Sequence, residues 1–285
     1  MRIGILPRGS RSQSSIFVVE VLALDQLTRE PQTGGLRLDR AGLTLAVPMK
    51  VIAVIPARLA STRLPRKMLR EIHGRPIPVW VYQAVKQSPH VSDVIIATDS
   101  DEIFAMCAKH SCKAVMTSQK HRSGTERVHE ISQTVEADLY VNVQGDEPMV
   151  RAEQIETLIS LMSDPEKAVG TLKTPCAAAD VVNPNAVKVV ADQSGRALYF
   201  SRATVPHDRD GSQPKYFKHL GIYGYRKWAL DRFVSLRESS LERAERLEQL
   251  RFLENSIPIY VSETPFDSIG VDTEEDFVRA EKLLR

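Results

Sequence analysis

From Lys50 onward, short apolar runs alternate with longer stretches in which apolar residues recur every three or four positions. Lys50-Val51-Ile52-Ala53-Val54-Ile55-Pro56-Ala57 is apolar on both faces, which suits a strand buried inside a parallel sheet. The pattern then predicts a helix over Ile77–Gln87, a strand over Asp93–Thr98, a helix over Asp101–Ser111 and a short strand over Lys113–Thr117. A helix over Gly124–Val135, a strand over Leu139–Gln144 and a helix over Ala152–Met162 follow. Short strands alternating with helices predict right-handed βαβ units, and such sheets bind ligands outside the carboxyl ends of their strands. The second half is richer in strand: Val169–Thr174, Ala186–Ala191, Ala197–Ser201, Lys218–Tyr225 and Ile257–Ser262. One amphipathic helix is expected over Leu241–Leu253, with Leu241, Ala244, Leu247 and Leu250 on one face, and a last helix over Glu274–Leu284. The expected architecture is one α/β domain with a smaller strand-rich lobe.

Residues 1–48 read differently. They hold six Arg and no Lys, and Gly/Pro-rich pieces flank a single apolar stretch, Ile16 to Leu24. Glu20 interrupts that stretch and no cleavage site follows, so it makes a poor signal peptide; four acids, Glu20, Asp25, Glu30 and Asp39, make a poor transit peptide. The expectation is a domain over residues 49–285, preceded by a disordered extension or an over-called start. Of the 285 residues, 42% are hydrophobic and 26% charged, enough for a sizeable core. The 38 basic residues are balanced by 36 acidic ones, so the charge does not point to a nucleic-acid partner. No apolar run is long enough to insert in a membrane. Three scattered cysteines, Cys107, Cys112 and Cys176, fit a reducing compartment and make no disulfide framework.

The loops at the predicted strand ends carry the chemistry. Between Arg58 and Lys67 stand four cations (Arg58, Arg63, Arg66, Lys67) and the hydroxyls Ser61 and Thr62, a set suited to triphosphate oxygens. The loop is neither a Walker loop nor a G-x-G-x-x-G turn. In Gln144-Gly145-Asp146 a strand ends on a Gly-Asp turn that places a carboxylate at the sheet rim, and Asp272 in Gly270-Val271-Asp272 is a second candidate. Two such carboxylates with substrate phosphates suffice for Mg²⁺. Asp272 with Glu275, or Thr273 with Asp276, can each form a capping box for the last helix. Ser123-Gly124-Thr125-Glu126 also reads as a capping box. His219, Gly221, Tyr223 and Tyr225 alternate onto one strand face, as a ligand surface would require. Asp99-Ser100-Asp101 is read as a helix cap and not as a sugar-nucleotide D-x-D motif. Cys107, His110 and Cys112 lack zinc spacing, and Asp208-Arg209-Asp210-Gly211 reads as a turn.

Several blocks, in order, resemble the 3-deoxy-D-manno-octulosonate cytidylyltransferases (CMP-Kdo synthetases): "IPARLASTRLPRK" from Ile55, "ATDSDEI", "HRSGTERV", "VNVQGDEPMV", "NPNAVKVV", "ALYFSRATVP", "KHLGIYGYR", "LEQLR" and "GVDTEEDF". They span essentially the whole chain after Met49. Arg66-Lys67-Met68-Leu69 stands where the family usually has Gly-Lys-Pro-Leu, and the loop after Pro206 is shorter than in many members. The resemblance implies a Rossmann-like nucleotidyltransferase domain with a mostly parallel mixed sheet and a dimerisation and sugar-binding lobe. It implies transfer of CMP from CTP to Kdo, an eight-carbon 2-keto acid sugar, for lipopolysaccharide synthesis, by a cytoplasmic Mg²⁺-dependent homodimer. CTP would meet Ala57, Arg58, Ser61, Thr62, Arg63, Lys67, Ser123, Gly124 and Gln144. The sugar would meet Gln144, Arg202, His219, Tyr223, Glu248 and Gln249, with Arg202 the natural partner for its carboxylate. Arg58, Lys67, Asp146 and Asp272 would be catalytic, and Asp146 and Asp272 would hold the metal. The alternatives are an enzyme for a related acid sugar, such as 8-amino-Kdo or a sialic acid, and a catalytically silent nucleotide-binding protein.

Overall fold

The computed structural model describes residues 49–61 and 63–284, together with two short antiparallel strands, Arg37–Asp39 and Gly42–Thr44. The chain divides into two units, Met1–Pro48 and Met49–Arg285. The apolar stretch Ile16–Leu24, and with it the expectation of a disordered extension, lies outside the described residues, as does Thr62.

In the larger unit, β1 (Val51–Ala57) leads through a loop to α1 (Ile77–Lys86), β2 (Asp93–Thr98), α2 (Asp101–Lys109), β3 (Ala114–Met116), α3 (Gly124–Ser132), β4 (Leu139–Asn142) and α4 (Ala152–Leu161). Then come β5 (Val169–Pro175), α5 (Ala178–Val181), β6 (Lys188–Ala191), β7 (Ala197–Ser201) and β8 (Phe217–Tyr225). α6 (Lys227–Ser235), α7 (Ser240–Glu245), α8 (Leu250–Glu254), β9 (Ile259–Glu263) and α9 (Glu274–Leu283) complete it. The nine strands form one mixed sheet. β3, β2, β1 and β4 lie side by side and parallel; β8 pairs antiparallel with β4 and with β5, and β9 returns parallel to β5. The antiparallel pair β6–β7 joins the other end of β8, where Lys188 faces Lys218. Every alternation expected before residue 162 is present.

All seven residues of β1 are buried, because both sheet faces are covered. Val51, Ala53, Ile55 and Ala57 pack with residues of α1 and α4 such as Val79, Val85, Ile155 and Leu158. Ile52 and Val54 belong to the opposite layer, with Val128 and Ile131 of α3 and with Phe233 and Phe252. A third cluster, Leu64, Ile72, Ile77, Val271, Phe277 and Ala280, fastens the loop after β1 to α9. That small core is what fixes a cation-rich loop in place.

The helix expected over Leu241–Leu253 is broken. α7 stops at Arg246, which takes the left-handed conformation (φ 55°), and α8 starts only at Leu250. The buried ion pair between Glu242 and Arg251 (Nε to Oε2 2.8 Å) staples the two short helices together. The break delivers Glu248 and Gln249 on a turn, where a continuous helix would carry them along its side. α6 was not expected from the sequence. The strand reading ends at Tyr225 and assigns nothing to the stretch after it, although Ala229, Leu230 and Phe233 form the buried face of this helix.

Because the nine-stranded sheet is complete from Val51 onward, a chain starting at Met49 is expected to keep the melting temperature and activity of the full chain. Calorimetry and a rate assay on the two forms check this; a drop of several degrees would make the first 48 residues part of the fold.

Candidate active site

The site lies where β1 and β4 end. Gly145 follows β4 so closely under β1 that a Cβ there would stand 2.8 Å from the carbonyl oxygen of Pro56. A Cβ on Gly124, at the start of α3, would stand 3.3 Å from the Pro56 ring. Glycine at both positions lets three element ends converge. The Asp146 carbonyl accepts the backbone N–H of Val271 (2.8 Å), which brings the segment before α9 to the same point.

Lys67 occupies the centre. Its short 3₁₀ turn, Lys67–Leu69, is held by buried Met68, and its ammonium donates to Asp146 Oδ2 (2.5 Å), Asp272 Oδ1 (2.8 Å) and the Val271 carbonyl (3.2 Å). Burial works against the charge, but the two carboxylates outweigh it and hold the ammonium above its usual pKa. Burial likewise opposes the charge on Asp272, yet Lys67 and Arg63 (2.9 Å) hold that carboxyl below its ordinary range. Arg66, where the family usually has Gly, sits at φ 55°, a conformation glycine adopts without cost; its guanidinium pairs with Glu102.

The two capping questions are answered separately. Thr273 caps α9, accepting from the Asp276 N–H (3.2 Å), while the Asp276 carboxylate accepts from the Thr273 N–H (3.0 Å). Asp272 is therefore not needed as the cap. Ser123 caps α3, accepting from the Glu126 N–H (3.3 Å), but the expected reciprocal bond is absent: Glu126 accepts instead from the Arg122 N–H (2.8 Å). Ser100 caps α2, as expected.

A cavity of about 360 Å³ runs from Asp146 and Asp272 past Lys67, Arg58, Arg63 and Ser61 to Ser123, Gly124 and Gln144. Ala57 ends β1 beside it. Two residues of its far wall were not singled out from the sequence: His121, paired with Glu130, and buried Arg127, which donates to Thr117 Oγ1 (2.6 Å) and pairs with Asp99. The Asp99-Arg127 pairing is long-range, and only the acid next to a helix cap hinted at it.

The expected sugar residues divide. His219 packs between the rings of Phe200 (4.9 Å) and Tyr223 (5.3 Å) and bonds to Thr171 Oγ1 (3.0 Å); burial pushes its pKa down to about 3, so it is neutral. The Tyr223 hydroxyl, Glu248 Oε2 and Asn142 Nδ2 are buried without a partner among the described residues, as groups awaiting a polyol would be. Glu248 Oε1 accepts from Thr125 Oγ1 (2.6 Å), and Gln249 is buried beside it at the start of α8. Arg202 differs from expectation. Its guanidinium donates to the carbonyls of Glu245 (2.7 Å), Pro184 (2.9 Å) and Arg246 (3.4 Å), so it braces α7 against the loop before β6. Elsewhere, burial pushes the Cys107 thiol up to about 12, consistent with an inert core residue. No cluster of three or more His, Cys, Asp or Glu suited to a metal occurs among the described residues.

A mostly parallel sheet whose strand ends gather a cation-rich loop, two convergent carboxylates and a face of unpartnered polar groups is an arrangement that suits a nucleotidyltransferase. Residues 52–262 match the Cytidylyltransferase family. Over 238 residues the chain is 64% identical to the 3-deoxy-manno-octulosonate cytidylyltransferase of Koribacter versatilis, covering 83% of this chain and 91% of that one. The Acidobacterium capsulatum protein of the same name is 51% identical over 237 residues, covering 83% and 97%. A solved CMP:2-keto-3-deoxy-manno-octonic acid synthetase complexed with CTP superimposes with a TM-score of 0.80 at 41% identity, covering 82% of this chain and 98% of that one. The chain belongs to the 3-deoxy-manno-octulosonate cytidylyltransferase family.

Gly145→Ala is expected to lower the melting temperature by ~2–10 °C, since forcing a methyl against the Pro56 carbonyl overpacks the turn. Activity should fall further than stability because Asp146 moves with the turn. An unchanged melting temperature and rate would show that the strand ends have slack.

Proposed function

We infer that the chain transfers CMP from CTP to Kdo, releasing pyrophosphate. The observation that carries this is the meeting of Asp146 and Asp272 on Lys67, at the junction of the nucleotide cavity and the acceptor face. The anomeric hydroxyl of the sugar attacks the α-phosphorus in line, and the bond to the bridging oxygen breaks. Positioning and charge neutralisation suffice for such a step. Arg58, Arg63 and Lys67 neutralise the triphosphate, with Ser61, and Thr62 by resemblance, as hydrogen-bond donors. Ser123, Gly124 and Gln144 hold the cytidine end. His219 is a neutral hydrogen-bonding group, and Tyr223, Glu248 and Gln249 meet the sugar.

The donor set at Asp146 and Asp272 is all hard oxygen, as Mg²⁺ requires, and two carboxylates leave room for phosphate oxygens, so these residues would hold the ion. When bound, the ion lowers the pKa of the attacking hydroxyl and stabilises the leaving pyrophosphate. A cytoplasmic homodimer completes the proposal. It rests on the resemblance to the family; no helix among the described residues is long and apolar enough to cross a membrane.

Two experiments test the reading. Pyrophosphate release, measured with four nucleoside triphosphates and a panel of acid sugars including 8-amino-Kdo and sialic acid, should be fastest with CTP and Kdo. Preference for UTP, or for another sugar, would overturn the assignment. Asp272→Asn should lower turnover by about 100-fold or more with little change in melting temperature or CTP affinity, because Thr273 keeps the cap and an amide holds a hard cation weakly. A rate within a few-fold of wild type at saturating Mg²⁺ would remove Asp272 from the site.

A further inference from the structure

Asp146 and Glu147 are neighbours on one turn, yet they serve different cavities. Asp146 lines the nucleotide cavity. Glu147 lines a second cavity of about 490 Å³ together with Lys218, His219, Gly221 and Ser268. Arg63 and Asp272 line both, so the two cavities meet at the aspartate pair. One Glu147 oxygen is engaged: Oε2 accepts from Ser268 Oγ (2.8 Å). The other, Oε1, stands 3.1 Å from where a Cβ of residue 221 would lie, so any larger residue there would press on it. The nearby cation Lys218 is directed to Asp267 (2.8 Å) and the Ser268 carbonyl (3.4 Å). A carboxylate fixed on one side by a hydroxyl, and free on the side facing the His219–Gly221 strand face, is a built acceptor for a ligand donor.

We propose that Glu147 is a substrate-binding residue of the acceptor site, its Oε1 accepting a hydrogen bond from a sugar hydroxyl and thereby orienting the polyol against the aspartate pair. The proposal rests on the acceptor being a polyhydroxylated acid sugar. Glu147 and Glu248 are both acidic neighbours of Tyr223, so that hydroxyls at separate carbons are gripped by separate carboxyl groups. Gly221 is part of the same device, since a side chain there would press on Oε1.

The test compares Glu147→Gln, Glu147→Asp and Gly221→Ala with the wild-type chain. Glu147→Gln should raise KM for Kdo about ten-fold or more and weaken calorimetric Kdo binding, measured without nucleotide, by a similar factor. KM for CTP and the Mg²⁺ concentration for half-maximal rate should stay within about two-fold. Gly221→Ala, by pushing Oε1 aside, should raise KM for Kdo at least about three-fold, and Glu147→Asp should fall between. Monodeoxy sugars add an independent reading: the analogue lacking the gripped hydroxyl should be discriminated by the wild type and not by Glu147→Gln. An unchanged Kdo affinity in Glu147→Gln would overturn the proposal. So would a shift confined to Mg²⁺ dependence, which would make Glu147 a support for Asp146. Wild-type chain that neither binds nor turns over Kdo would instead overturn the assigned reaction.

Discussion

The structure depends on one buried ammonium. Lys67 is enclosed by the loop after β1, the turn after β4 and the segment before α9, and it meets a carboxylate from each of the last two. The ammonium is buried while both carboxylates keep part of their surface toward solvent, and an unpaired charge at the ammonium's depth would be costly. Their mutual satisfaction binds chain segments about two hundred residues apart at one point. The Leu64–Phe277 cluster below them supplies the apolar support that a network of charges does not provide.

This arrangement explains why the glycines near the site are where they are. Pro56, one residue before the end of the central strand, presents a rigid ring and a carbonyl, and two other elements approach it without side chains. The consequence is positional: close backbone contact with Pro56 sets the turn that carries Asp146, and Lys67 then draws the two carboxylates together.

Much of this was legible in the sequence, and the remainder was not for identifiable reasons. β2 and β7 have the bounds their apolar runs predict, and the helix caps Ser100, Ser123 and Thr273 are local signals that local reading recovers. The break at Arg246 was hidden because its cause, the Glu242–Arg251 pair, leaves the leucine periodicity intact on both sides. α6 was passed over although Ala229, Leu230 and Phe233 recur at helical spacing. Arg202 looked like a ligand for a carboxylate because sequence shows a guanidinium and not the three carbonyls around it. Arg127 and Glu147 were passed over for the same reason: each is defined by partners brought near only by the fold. The aspartates were legible because strand ends in a parallel sheet are places where function gathers.

The first turn of α3 has a consequence of its own. Ser123 closes the helix at the nucleotide cavity, and two residues on, Thr125 holds Glu248 across the acceptor face. On the proposed reading of the site, the two substrates would share a single turn of backbone as their common wall. A mutation that moved this turn at the nucleotide cavity would then be transmitted, through the Thr125 hydroxyl, to Glu248. Donor and acceptor preference would be mechanically linked traits, and a lineage that changed one would inherit a perturbation of the other.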